Sequence, residues 1–301
     1  MEESSKVSSV LEQLLPHKDH VAIGRMQSLY AGIGKPTWRF HEYIVQCFSD
    51  LASDENIALA NNPGIELTTV ESVREYYAQL REKAIVGDSD AVNDLGWHFL
   101  NGLELAYEPL LAQKLFKIAA AGEAVMAFFN LGQQAYYGKG MPVDVALAAQ
   151  YYEQALEDAH PWALLELGRL YDTQDSDDEH DLPYDHAKAI AYYKQAAEWN
   201  LYEAGFDLGR LLLKRQSKYY NLADALYWLQ WSATNGYRFS SEALAYYYAE
   251  DCFLDFPRDA ARSLYCFWRD FSIKQSHYYS DQWLELDESI EVPNSYCLGR
   301  L

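Results

Sequence analysis

Cysteine is scarce in this 301-residue chain, and its four copies fall in no recognisable pattern. Cys47, Cys252, Cys266 and Cys297 form no C-x-x-C pair, and no histidine follows at zinc spacing. A Cys/His zinc module is excluded, and reduced structural thiols are expected. No run of about 18 apolar residues is present, which excludes a membrane-spanning helix. The start, Met1-Glu2-Glu3-Ser4-Ser5-Lys6, leads to no basic-then-apolar signal pattern, so the expected location is the cytoplasm. Cations are also in short supply. Lysine and arginine number 24 against 45 acids, a formal net charge of −21. Phosphate binding needs clusters of Lys and Arg, so nucleic acid is excluded as a direct ligand.

Catalytic signatures are missing too. There is no Gly-x-Ser-x-Gly and no His-Glu-x-x-His. Gly32-Ile-Gly34-Lys35-Pro36-Thr37 lacks the phosphate-loop frame, and Pro36 removes a backbone donor where one is wanted. Asp175-x-Asp177-x-Glu179 resembles the start of a calcium loop. Its sixth position is not Gly, and its twelfth is His186 rather than Glu. No enzyme activity, cofactor or metal is expected.

What is present is a period. Ala-x-x-x-Leu-Gly occurs as Ala91…Leu95-Gly96, Ala127…Leu131-Gly132, Ala163…Leu167-Gly168 and Ala204…Leu208-Gly209. The glycines are spaced 36, 36 and 41 residues apart, one period repeated with a five-residue insertion in the third unit. A second motif keeps the same phase: a small residue, a bulky pair three and four residues on, and a small residue at seven. Its copies are Ala112/Leu115-Phe116/Ala119, Ala148/Tyr151-Tyr152/Ala155, Ala189/Tyr192-Tyr193/Ala196 and Ala225/Trp228-Leu229/Ser232. Positions i, i+3, i+4 and i+7 share one helix face. Two such motifs per period predict two helices per repeat, with pairs near 90–120, 124–159, 161–199 and 201–235. A mid-helix Gly costs about 1 kcal/mol against Ala, so four in phase imply close packing at each. Tyr246, 37 residues after Gly209, is where a fifth Leu-Gly is expected, followed by Ala261, Leu264-Tyr265 and Trp268.

Leu131-Gly132, Gly138-Lys139-Gly140, Asp144, Ala148, Tyr151-Tyr152 and Ala155 resemble a Sel1-like repeat, a relative of the tetratricopeptide repeat. The resemblance covers roughly 66–270 and is closest in the second repeat. The Gly-x-Gly loop is reduced to Gly102 in the first repeat and is lost in the third and fourth. It implies an all-α, right-handed superhelical solenoid of helix-turn-helix repeats. Residues 1–65 then form a helical cap outside the phase, with a helix at Trp38–Leu51 and a turn at Asn61-Asn62-Pro63-Gly64. Thr68-x-x-Glu71 is expected as a capping box opening a helix at Val70–Ala84, which forms a half-repeat. Residues 271–301 form a C-terminal cap or tail. In some secreted relatives a disulfide clips each repeat; here only Cys252 and Cys266 could sit on paired helices.

The resemblance also implies a protein-binding concave face lined by the first helices, at positions six and three before the repeat glycine and one and four after it. Those positions are Asp90, Asn93, Trp97 and Leu100; Met126, Phe129, Gln133 and Tyr136; Trp162, Leu165, Arg169 and Asp172; and Glu203, Phe206, Arg210 and Leu213. Trp97, Phe129, Gln133, Tyr136, Trp162, Arg169, Asp172, Phe206 and Arg210 are the leading partner-binding candidates, since Trp, Tyr and Arg dominate interface energetics. Residues 142–209 hold 15 acids against Arg169, Lys188 and Lys194, densest along 172–181. That charge favours a basic protein partner. Three roles fit: an adaptor or scaffold, an immunity protein that binds a basic secreted toxin, and a regulatory subunit of an enzyme complex.

Overall fold

The computed structural model describes residues 2–24, 69–102, 104–158, 161–172, 184–249 and 258–278. The helix expected at Trp38–Leu51, the turn at 61–64, the acidic stretch 173–183 and Cys252 lie outside the described residues. Among the described residues there are twelve α-helices and no strand. They are α1 (Glu2–Leu14), α2 (Val70–Ile85), α3 (Ser89–Asn101), α4 (Pro109–Ala121), α5 (Val125–Tyr137), α6 (Val145–Gln154), α7 (Pro161–Asp172), α8 (His186–Glu198), α9 (Tyr202–Leu212), α10 (Leu222–Thr234), α11 (Arg238–Ala249) and α12 (Arg258–Tyr278). A 3-10 turn, Ala155–Asp158, extends α6. The chain forms two compact units, one built on Met1–Ala163 and the other on the residues from Leu164 onward.

The period is visible in what each glycine touches. A Cβ on Gly96 would stand 2.6 Å from the Phe116 ring, and one on Gly168 would stand 2.5 Å from Tyr193. Gly132 meets Tyr152 in the same way, and Gly209 meets Leu229 at 2.6 Å. Each partner is the second member of its bulky pair, and each is completely buried. The first helix therefore offers bare backbone as the floor on which the second helix lays a large side chain. The alanines flanking that side chain, such as Ala112, Ala119, Ala148 and Ala155, are also completely buried.

Loop chemistry sets the helix boundaries. Gly102 and Gly138 end α3 and α5 in the left-handed region, both at φ 65°, where glycine carries no Cβ penalty. The side chains of Asp144, Asp185 and Asn221 cap the second helices α6, α8 and α10. In each of the first four repeats the N–H of the residue before the second helix donates to a carbonyl near the end of the first. The bonds are Glu108 to Phe99, Asp144 to Ala135, Asp185 to Tyr171 and Asn221 to Leu212, at 2.9–3.0 Å. Helix-to-next-repeat turns share a positive φ at one position: Gly87 (103°), Glu123 (70°), Asn200 (58°) and Gly236 (103°).

Two expectations are corrected. The capping box of α2 lies one residue later than Thr68/Glu71: the Thr69 hydroxyl accepts from Ser72 N–H, and the Ser72 side chain accepts from Thr69 N–H. Serine completes the box in place of the Glu sought in the sequence. The fifth repeat is not phased on Tyr246, which is 55% exposed. Ser240, Leu244 and Ala245 are buried and occupy the Ala, Leu and Gly positions at a spacing of 36 from Ala204, Leu208 and Gly209. Leu244 and Ala245 pack in one core with Leu264 and Trp268 of α12. At the other end, α1 seats Leu11, and the segment that follows it seats Leu15, in the core of the first unit. It is tied to α2 by Tyr77 Oη donating to the Pro16 carbonyl at 2.8 Å. Residue Cys266 is a free, half-buried thiol.

Candidate partner-binding surface

In the first unit, α3 and α5 are joined directly by their side chains. Asn130 Nδ2 donates to Asn93 Oδ1 at 2.9 Å, with both residues buried. Buried amides are kept only when paired, so this bond fixes how one first helix sits on the next. On the same two helices, Trp97, Phe129, Gln133 and Tyr136 are half-buried. Trp97 packs on the core and meets the His98 ring edge-on at 5.1 Å. Phe129 lies 5.6 Å from Tyr152, whose hydroxyl accepts from Gln133 Nε2 at 3.0 Å. Tyr136 meets Tyr137 edge-on at 4.8 Å. Each ring is held on one side by the fold and leaves part of its surface outward. Beneath them, His98 Nδ1 lies 3.0 Å from Glu104 Oε2, both buried. Burial, with Asp94 and Glu104 nearby, pushes the Tyr76 phenol up to about 12. Trp162, in the first turn of α7, is half-buried.

In the second unit the candidate residues form one chain of charges. Arg169 donates through Nε to Asp207 Oδ2 at 2.8 Å, and its other nitrogens reach Glu166 at 3.3 Å and Glu203 at 3.9 Å. Arg210 bridges Asp207 at 3.6 Å and Asp172 at 3.8 Å. Asp172 also accepts from Lys214 Nζ at 2.9 Å. The Asp207 and Asp172 side chains are only 6% and 5% exposed, while Arg210 is 48% exposed. Burial raises the Glu166 carboxyl, and Arg169 opposes that shift. Arg210 also lies 5.9 Å over the Phe206 ring, which packs on Tyr237. Arg169 and Asp172 are thus engaged within the fold, and Phe206 and Arg210 present the outer layer.

Leu100 and Leu165, assigned outward positions by the resemblance, are core residues, 5% and 0% exposed. The carboxylates Glu166 and Asp207, two residues before their repeat glycines, were not singled out in the sequence. Their signal is an Arg three residues further on, at Arg169 and Arg210, within ion-pair reach on the same helix face.

No family model and no curated protein matches this chain at a significant level. Solved structures do. A Sel1 repeat protein from Oxalobacter formigenes aligns over 83% of this chain and 95% of its own, with 20% identity and a TM-score of 0.57. An immunity protein from Pseudomonas aeruginosa aligns over 74% of this chain and 80% of its own, with 18% identity and a TM-score of 0.46. A protective antigen of uropathogenic Escherichia coli described as having an SLR fold covers 91% of this chain and 68% of its own, at 19% identity and a TM-score of 0.37. The paired helices, the in-phase glycines with their seated side chains, and the likeness to the Oxalobacter protein together make this a chain of the Sel1-like repeat fold.

Proposed function

We propose that this protein is a non-enzymatic scaffold that holds a partner protein against the first-helix face of its repeats. The observation that carries the reading is that Trp97, Phe129, Gln133 and Tyr136 are all half-buried on α3 and α5, the two first helices that the Asn93–Asn130 bond joins. Rings gripped on one side and open on the other lose little freedom on binding, which is the economy of an interface anchor. In the second unit, Phe206 and Arg210 supply the reachable contacts, and Arg169 and Asp172 hold them in place. The net charge of −21 supports a basic partner steered by long-range attraction. That charge also favours one particular role, neutralisation of a basic toxin by direct binding.

Affinity capture from the native host, followed by binding measurements on the captured partner, tests the reading. Alanine at Trp97, Phe129 or Tyr136 should each weaken binding by about 2 kcal/mol where the ring is a central anchor. Alanine at Tyr227, exposed on the second helix α10, should leave binding unchanged. The opposite ranking places the partner elsewhere. Protection of growth against a co-expressed toxin separates the neutralising role from the adaptor role.

A further inference from the structure

Tyr107, Tyr184 and Tyr220 occupy one position of the repeat, immediately before the N-cap residue of a second helix. A residue there ordinarily closes an apolar contact onto the fourth residue of the helix. Here that fourth residue is Ala112, Ala189 or Ala225, each completely buried, and the rings stay 53%, 40% and 39% exposed. Tyr184 differs from its equivalents in what its hydroxyl meets. Its oxygen lies 3.0 Å from His186 Nδ1, with the two rings 4.3 Å apart.

His186 is 7% exposed. Its Nε2 makes no hydrogen bond and lies 3.5 Å from Asp172 Oδ1. A lone pair on Nε2 would face that carboxylate, so the ring proton belongs on Nε2 and Nδ1 is the acceptor. Tyr184 therefore donates to His186. Burial holds the imidazole below its ordinary range; Asp172 and Asp185 oppose the shift and Lys214 adds to it. The ring is neutral near pH 7, the state in which it can take a proton. The loop after α9 completes the surroundings. Ser217 Oγ is 3.5 Å from Nδ1, Tyr219 lies edge-on at 6.1 Å, and Lys218 Nζ stands 4.9 Å over that ring. Lys188 is exposed on the same helix as His186.

We propose that Tyr184 is a modification site: a nucleophilic phenol that accepts anionic, phosphoryl-type groups, with His186 as its base and Asp172 as a positioning residue. The phenol oxygen bonds to the tetrahedral phosphorus or sulfur centre, and the leaving group departs with the electron pair of the broken bond. The phenol proton passes to His186 Nδ1. Lys218 supplies positive charge for the electrophile. No electron transfer is involved.

The test labels the full chain with an aryl sulfonyl fluoride, in which an S–O bond forms, the S–F bond breaks and fluoride leaves. Rates are read tyrosine by tyrosine by peptide mass spectrometry, with Tyr107 and Tyr220 as internal references. Tyr184 should label at least about tenfold faster at pH 7.5, a threshold set below the roughly hundredfold at which general-base contributions begin. Its rate should level off above pH 7, while the references should keep climbing toward pH 9. His186→Gln should bring Tyr184 down to the reference rate and leave Tyr220 unchanged. A para-carboxylate reagent should widen the advantage of Tyr184, and Lys218→Ala should remove that increment. Equal rates for the three tyrosines in the wild type overturn the proposal without recourse to any variant. So does an undiminished Tyr184 rate in a folded His186→Gln protein, and an indifference to reagent charge overturns the anionic specificity.

Discussion

Replacing Gly96 with alanine sets two effects against each other. In an isolated helix the change would be favourable by about 1 kcal/mol, because glycine has the larger backbone entropy to lose. In this protein the new methyl would stand 2.6, 2.8 and 3.2 Å from three atoms of the Phe116 ring. Phe116 is completely buried, with Ala112, Leu115 and Ala119 packed around it, so the ring has no solvent side to move toward. Overpacking of a filled core costs about 1–3 kcal/mol, and contacts under 3 Å to a ring that cannot move belong to the upper part of that range, about 2–3 kcal/mol; less the gain of about 1 kcal/mol, the net expectation is a loss of roughly 1–2 kcal/mol. Equilibrium urea unfolding followed by far-UV circular dichroism reads this as a midpoint lowered by about 0.5–1 M at an ordinary slope. A partial rescue should follow from Phe116→Leu in the same chain. The double variant should fall short of the summed single losses by about 0.5 kcal/mol or more, the coupling expected of residues in contact. An unchanged or raised midpoint in Gly96→Ala would refute the view that the repeat glycines exist to seat the second-helix side chain.

Other outcomes follow from the same physics. Glu123→Gly should stabilise the protein by about 0.5–1 kcal/mol in the same unfolding assay, since it relieves a side chain held at φ 70° where Gly87 and Gly236 stand in other repeats. Asp207→Ala should cost about 2–3 kcal/mol and resist added salt, because its carboxylate is 6% exposed and anchors Arg169; Arg238→Ala, which breaks the more open pair with Glu242, should cost under about 0.5 kcal/mol. His186 has a folded pKa below its unfolded one, so the unfolded chain takes up the proton first; its contribution is full above pH 6.5 and is lost as pH falls. Melting temperatures measured between pH 8 and 5.5 should therefore decline more steeply in the wild type than in His186→Gln. Asn130→Ala strands the Asn93 amide in the core and should cost about 1–3 kcal/mol.

Much of the fold could be read from spacing because one contact recurs. Gly96, Gly132, Gly168 and Gly209 each need a missing Cβ, and no other residue type serves, so the signal survives the drift of everything around it. The fifth copy is not legible in the sequence because Ala245 stands in the glycine position and Ser240 in the alanine position, which leaves no Leu-Gly to mark the register. The position of the α2 cap is ambiguous in the sequence because two threonines stand together, and only the hydrogen bonds between Thr69 and Ser72 distinguish them. In the candidate surface, residue types at the first-helix positions were legible, but their engagement was not. The Arg169–Asp207 bond joins side chains 38 residues apart, and its acid lies outside the outward-facing positions. Leu165 occupies one of those positions and is entirely buried, because side-chain direction in a stack depends on the neighbouring repeat, which a single motif does not describe.

The bond that closes each inter-helix loop has an evolutionary consequence. From acceptor to donor it spans nine residues at Phe99–Glu108, Ala135–Asp144 and Leu212–Asn221, and fourteen at Tyr171–Asp185. The seating of Tyr193 on Gly168 is the same as in the shorter repeats. Five added residues have therefore been accommodated with the gate shut behind them, at an entropy cost that grows only with the logarithm of loop length. Each of these loops is a port through which a lineage can accept foreign sequence without renegotiating its core. A protein engineer could graft a recognition peptide through the same opening.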